Sequence, residues 1–194
     1  MGYIFYLMGK SSSGKDTIYK EIQSRCRALK SVNLYTTRPI REGEKDGVEY
    51  YFVNDEKCGE LLESGKVIEL RGYNTVYGVW KYFTVDDEQF ELDHNSYLMI
   101  GTLESYKKMN MYFGEDVVVP IYINVEDGVR LRRALEREES QDIPKYTEMC
   151  RRFLADSEDF SEEKLLNANI KRKFENCVFE SCVDEIILYI NEKI

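Results

Sequence analysis

The chain has 194 residues, 43% hydrophobic and 32% charged, and its 27 Lys and Arg against 36 Asp and Glu leave a formal net charge of −9. That length makes one substantial core with room for a small appended lobe. The acidic balance argues against a nucleic-acid backbone or an anionic membrane as a partner of the whole surface, so an anionic ligand must be held by local basic clusters. The five cysteines, Cys26, Cys58, Cys150, Cys177 and Cys182, are odd in number, scattered and without a Cys-x-x-Cys pair, so they read as free thiols. The first apolar run is about six residues long, and no later run approaches the roughly eighteen of a membrane span. The expectation is a cytoplasmic protein.

Tyr3-Ile4-Phe5-Tyr6-Leu7-Met8 predicts a buried strand, and Ile18, Ile22, Cys26 and Leu29 then recur at helical spacing. Between them lies Gly9-Lys10-Ser11-Ser12-Ser13-Gly14-Lys15-Asp16-Thr17. A strand that turns through glycines into a helix is an arrangement that cradles phosphate. Glycines permit close approach and positive φ, successive N–H groups point into the turn, and the helix adds the positive end of its dipole. Lys15 is then a mobile cation able to follow a transferring phosphoryl group. The usual pattern continues with Ser or Thr, whereas here Asp16 holds that place and Thr17 follows. The alternative is a Ser/Gly loop with Asp16 as helix N-cap and Lys15 solvated.

Further along, Val32 to Thr37 predicts a second strand, and Arg41 to Gly47 is a loop by composition. Glu49 to Val53 is strand-like, Asn54 or Asp55 can cap a helix through Leu62, and Gly65 stands where a helix stop is expected. Val67 to Leu70 and Val76 to Thr84 predict short strands around turns at Gly72-Tyr73-Asn74 and Gly78. Asp86 to Leu92 predicts a helix, Tyr97 to Ile100 a buried strand and Leu103 to Met111 a helix. Val117 to Val125 is strand-like, with Pro120 placing the start near Ile121. Glu126 to Glu139 is helical and rich in arginine. After Pro144 one long helix reaches about Asn167, Lys171 to Glu175 predicts a last strand, and Val178 to Ile194 a closing amphipathic helix.

Strands alternating with helices predict an α/β fold: a parallel sheet flanked by helices, with the phosphate loop at its carboxyl edge. The strand-rich piece interrupts that alternation and reads as an inserted lobe. The expectation is a single domain over 1–194, with 1–34 and 93–194 as core, a lid at about 126–156 and a lobe at 35–92.

The lobe carries Thr36-Thr37-Arg38, Arg41, Gly43-Glu44, Gly47, Tyr50 and Phe52-Val53. In order and spacing this resembles the monophosphate-binding lobe of guanylate kinases, and the similarity extends over essentially the whole chain. The resemblance implies a P-loop kinase that transfers the γ-phosphoryl group of ATP to GMP or dGMP with Mg2+, without nucleic-acid or membrane partners, as a monomer or homodimer. It implies that residues 9 to 17 hold the ATP phosphates and that Arg38, Arg41, Tyr50 and Tyr77 bind the acceptor phosphate. Forked guanidinium donors suit a phosphate dianion.

Glu69 matches the family's guanine-reading carboxylate, an acceptor suited to the N1–H and N2 amino donors. Gly78 and Thr102 fall in the same base site. Three positions depart from the family: Val79 replaces a hydroxyl, Thr102 stands in Ile100-Gly101-Thr102 where Asp-x-Asp is usual, and Leu34 replaces a serine. Arg133 and Arg137, four apart on one helix face, match the lid pair, and Arg152 matches a further lid arginine, with Arg130, Arg132 and Arg151 nearby. The bland reading of these arginines is pairing with Glu136, Glu138 and Glu139. Asp16 or Thr17 is the expected Mg2+ ligand, Asn176 matches a late asparagine near the adenine, and His94, the sole histidine, reads as solvated. Two other readings stay open: a paralogue with another small phosphorylated acceptor, and a non-catalytic binding module.

Overall fold

The computed structural model describes residues 1–75 and 78–194. In chain order, β1 (Ile4–Gly9) passes through the glycine-rich loop into α1 (Lys15–Arg25) and β2 (Leu29–Ser31). A lobe follows, made of β3 (Tyr35–Thr36), β4 (Tyr51–Phe52), α2 (Asp55–Glu63), β5 (Val67–Thr75) and β6 (Gly78–Val85). The chain then returns through β7 (Ser96–Gly101), α3 (Leu103–Phe113), β8 (Val118–Asn124), α4 (Asp127–Glu139), α5 (Tyr146–Asp159), α6 (Glu162–Asn167), β9 (Lys173–Glu175) and α7 (Phe179–Asn191).

The core sheet runs β2-β7-β1-β8-β9, parallel throughout, with β1 in the centre and every residue of it buried. A parallel strand covered on both faces needs an almost continuous apolar run, which Ile4 to Met8 supplies. Its side chains divide with period two. Phe5 and Leu7 pack with Ile18 and Ile22 of α1 and with Val183, Ile186 and Ile190 of α7. Ile4, Tyr6 and Met8 pack on the other side with Tyr106 and Met109 of α3, Phe160 and Leu165.

The lobe sheet runs β4-β3-β6-β5. Its apolar face, with Tyr35, Leu70, Phe83 and Val85, covers Cys58 and Leu61 of α2. Asn54 caps that helix by accepting from the Lys57 N–H, and Gly65 follows it at φ 71°. All five cysteines are free, and among the described residues no helix is long and apolar enough to cross a membrane.

Several boundaries differ from the sequence expectation. The predicted strand at Val32–Thr37 forms only as β3, Tyr35–Thr36, in the lobe sheet: β2 of the core ends before it at Ser31, and the chain crosses to the lobe between the two. β5 runs straight through Gly72-Tyr73-Asn74, because each of those residues pairs across to β6. Asp86–Leu92 is not helical. Glu88 sits at φ 73°, Gln89 bonds both backbone groups of Asn33, Asp87 accepts from the Tyr35 hydroxyl, and the Glu91 N–H donates to the Tyr97 hydroxyl. The Gln89 and Asp87 side chains are thus tied to Asn33 and Tyr35 instead of lining a helix face. β8 begins before Pro120, since β9 pairs only from Tyr122 onward and no ladder bond is needed at the proline. The expected single helix after Pro144 is two, because Phe160 turns inward to stack on Tyr122 at 5.6 Å and Ser161 caps α6.

Gly101, at the carboxyl end of β7, has a close neighbour. A Cβ there would lie 2.1 Å from the Tyr6 hydroxyl and 2.8 Å from Ser105 Oγ, two buried groups already bonded to each other at 2.7 Å. Gly101→Ala is therefore expected to lower stability by about 1–3 kcal/mol, measured as a reduced urea midpoint at unchanged m-value.

Candidate functional site

The loop at the carboxyl end of β1 is wrapped tightly by the core. Gly14 adopts φ 85° and Ser12 φ 60°. A Cβ on Gly14 would fall 2.6 Å from Asn176 Nδ2, which donates to the Ser13 carbonyl at 2.8 Å. Asn176 is buried and braces the loop backbone from below. Gly14 is the N-cap of α1 and no side chain caps that helix, so Asp16 is not the cap. The Asp16 side chain is 79% exposed and lies 3.4 Å from Lys15 Nζ, and Thr17 is exposed beside it. The hydroxyls of Ser12 and Ser13 are buried with no hydrogen-bond partner in the protein. Two buried hydroxyls of this kind suit the oxygens of a phosphate, which accept several hydrogen bonds at once.

One loop amide is already engaged by an anion. The Ser11 N–H donates to Asp156 Oδ2 of α5 at 2.8 Å, and Arg130 of α4 donates to the Ser11 carbonyl at 3.0 Å. Arg130 is 1% exposed, paired with Asp127 at 2.7 Å and placed 4.6 Å over the Phe153 ring. Its guanidinium holds the Asp127 carboxyl below its usual range, with Lys10 at 3.5 Å adding to the effect. Arg130 is thus a strut between the loop and α5. The Asp127-x-x-Arg130 spacing on one helix face was the available sequence signal.

Of the expected lid arginines, Arg137 and Arg152 line one narrow crevice over Ser11 and Ser12, together with Arg130, Met149 and Phe153. Arg133 does not join them; it donates to the Asn176 carbonyl at 3.2 Å. Arg151 and Arg152 both bond Glu148, holding its carboxyl down at about 2. Arg132, in the same run, is exposed.

In the lobe, period-two alternation puts Glu69, Arg71 and Tyr73 of β5 on one face, opposite Thr84, Tyr82 and Trp80 of β6. Arg38 is 3% exposed and donates through both terminal nitrogens to Glu44, at 2.8 and 2.9 Å. It lies 5.6 Å over Tyr50 and 5.4 Å over Phe52, and its hydrogen bonds hold the Glu44 carboxyl below its ordinary range. The Arg41 side chain is exposed, while its backbone N–H joins Glu44 at 2.8 Å.

Glu69 is buried, bonded to Arg71 through Nε at 3.0 Å and Nη2 at 3.2 Å, and to the Thr84 hydroxyl at 3.0 Å. Arg71 was not singled out from the sequence, although its i,i+2 spacing from Glu69 within a strand was the signal. Thr102 caps α3 through Ser105, Leu34 packs against the core, Val79 is half exposed, and Gly78 opens β6. Tyr77 lies outside the described residues. His94 is exposed.

A cavity of about 590 Å³ separates loop from lobe, and its walls bring Lys15, Arg71, Thr102, Lys107, Asp156 and Lys164 together. Tyr50 and Leu34 line a second cavity of about 450 Å³ between α1 and the lobe. Lys107 and Lys164 carried no motif that marked them in sequence. The arrangement is an anion-binding loop facing a second, guanidinium-bearing wall across a space the size of a small-molecule site.

Comparison with known proteins agrees with this architecture. The family model for guanylate kinase matches residues 3–163. Curated relatives are the guanylate kinases of Thermotoga maritima, 28% identical over 71% of this chain and 67% of that one, and of Anaplasma phagocytophilum, 32% identical over 70% and 63%. The guanylate kinase of Clostridioides difficile is 38% identical over 41% of this chain, and there the chain spans 40% of the relative's length. A crystal structure of guanylate kinase from Anaplasma phagocytophilum superposes with a TM-score of 0.67 at 20% identity, covering 99% of this chain and 86% of that one, which is a likeness of fold. With the family model matching most of its length, the chain belongs to the guanylate kinase family.

Proposed function

We propose that the protein is a nucleoside monophosphate kinase that transfers the γ-phosphoryl group of ATP to GMP or dGMP, giving ADP and the diphosphate. The observation that carries this reading is the single cavity with Lys15 and the glycine-rich loop on one wall and the Arg71-bearing lobe face on the other. Two nucleotides meeting there end to end would place donor and acceptor phosphates in line, so positioning and charge stabilisation suffice and no covalent intermediate is needed.

In this reading the amides of residues 9 to 17 and the unpartnered Ser12 and Ser13 hydroxyls bind the donor phosphates. The engagement of the Ser11 amide by the Asp156 carboxylate supports an anion site there. Lys15 follows the transferred group, Arg137 and Arg152 approach it from the lid, and Arg133 holds the brace Asn176 in place. Arg38, fixed by Glu44 and stacked over Tyr50, with Arg41 at the rim, receives the acceptor phosphate. Lobe and lid exclude water, which would otherwise take the phosphoryl group. The 1–34 and 93–194 core, the lid near 126–156 and the lobe at 35–92 are proposed as the moving parts, within a monomer or homodimer in the cytoplasm.

Among the described residues no cluster of three or more His, Cys, Asp or Glu forms a metal cage. Mg2+ keeps several waters and substrate phosphates and takes one or two protein oxygens, so it needs no such cage. The exposed Asp16 carboxylate, directly or through water, or the Thr17 hydroxyl would hold it. The ion would supply neutralisation of phosphate charge.

An ADP-release assay with Mg2+-ATP across GMP, dGMP, AMP, CMP and UMP is expected to show preference for the guanine nucleotides, with Lys15→Ala lowering kcat by about a hundredfold or more. Preference for another base, or no turnover with any acceptor, contradicts the proposal. Asp16→Ser is expected to raise the Mg2+ concentration for half-maximal rate about tenfold, and an unchanged Mg2+ response assigns the ion to Thr17 instead.

A further inference from the structure

We propose that the acceptor base is read by Arg71, through the O6/N7 edge of guanine, and not by Glu69. The inference rests on the activity proposed above and specifies how its acceptor is chosen.

The geometry commits Glu69 to partners within the protein. Its side chain is 0% exposed, one oxygen accepts from Arg71 Nε at 3.0 Å, and the other accepts from Arg71 Nη2 at 3.2 Å and from Thr84 Oγ1 at 3.0 Å. To turn toward the N1–H and N2 donors of a guanine, the fully buried carboxylate would have to break its two-point pairing with the Arg71 guanidinium. Arg71 is the member of the pair that reaches the ligand space. Its side chain is 13% exposed, and it lines the cavity shared with Lys15 and Thr102.

A guanidinium carries five N–H donors and no acceptor, so the two bonds to Glu69 leave three, two of them on Nη1. What it meets must therefore present acceptors. Guanine presents O6 and N7 side by side, the pair that arginine bonds bidentately, whereas adenine replaces O6 with an amino donor. The ion pair with Glu69 and the burial of the stem hold the guanidinium plane in one orientation, so the reading group is preorganised. The neighbouring positions do not supply the alternative. The Thr102 hydroxyl is engaged with Ser105 in the α3 cap, Val79 has no polar side-chain atom, and Leu34 is packed on the core.

Two analogues separate the edges, because IMP lacks the 2-amino group but keeps O6 and N7, while 7-deaza-GMP keeps the N1 and N2 donors but lacks N7. With the wild-type chain, kcat/KM for IMP is expected within about threefold of GMP, and that for 7-deaza-GMP to fall about tenfold. Arg71→Gln is expected to remove the discrimination between GMP and 7-deaza-GMP while leaving KM for ATP unchanged. Should that variant misfold, the wild-type analogue series decides alone. The inference is overturned, with the kinase activity standing, if IMP falls tenfold or more and 7-deaza-GMP matches GMP. If GMP is neither phosphorylated nor bound by calorimetry, the activity proposal fails and this inference with it.

Discussion

The burial of β1 on both faces is the constraint from which the rest of the architecture follows. A strand with no exposed residue must have a strand on each edge and a helical layer on each face, which the order β2-β7-β1-β8-β9 and the layers around α1, α7 and α3 provide. All strands of that sheet then point the same way, so the chain leaves β1, β7 and β8 at one edge. The glycine-rich loop follows β1 there, the Thr102 cap follows β7, and the Asp127–Arg130 strut follows β8. One edge of one sheet collects the groups that line the main cavity, in keeping with where open α/β sheets bind ligands.

A second theme is that the buried Arg38 and Arg130 and the partly buried Arg71 are each tied to carboxylates. Arg38 has Glu44, Arg71 has Glu69, and Arg130 has Asp127 and Asp156. A buried cation without a partner is costly, while a bidentate partner also fixes its plane. The three therefore act as fixtures: one anchors the lobe loop, one faces the cavity, one joins α4 and α5 to the glycine-rich loop. Less constrained cations are Lys15, 3.4 Å from the exposed Asp16, and Arg137, 3.8 Å from Glu138.

Much of this was legible in the sequence because it rests on local pattern. The apolar run and glycines of residues 3 to 14 dictate strand, turn and helix start, and the arginine spacing after Glu126 dictates a helix face. What escaped was set by contacts distant in the chain. Asp86–Leu92 has helical composition, yet its Gln89 and Asp87 side chains hold Asn33 and Tyr35, and its Glu91 N–H is given to the Tyr97 hydroxyl. Pro120 reads as a strand boundary only until β9 is seen to stop short of it. Glu69 reads as a free acceptor only until Arg71 and Thr84 are folded onto it, and the Ser11–Asp156 contact joins residues 145 apart in the chain. Local pattern therefore located the glycine-rich loop between β1 and α1, while the partners of each charge came from tertiary structure.

The central claim is that loop and lobe form one two-nucleotide site. A crystal structure of the chain with a guanosine–adenosine oligophosphate, a single molecule carrying both ends, tests it most directly. The account predicts the phosphate chain along the amides of residues 9 to 17, the adenosine end on the Asn176 side and the guanine against Arg71 in the main cavity. Binding of only one end, with the other in solvent and the lobe face empty of ligand, would contradict it.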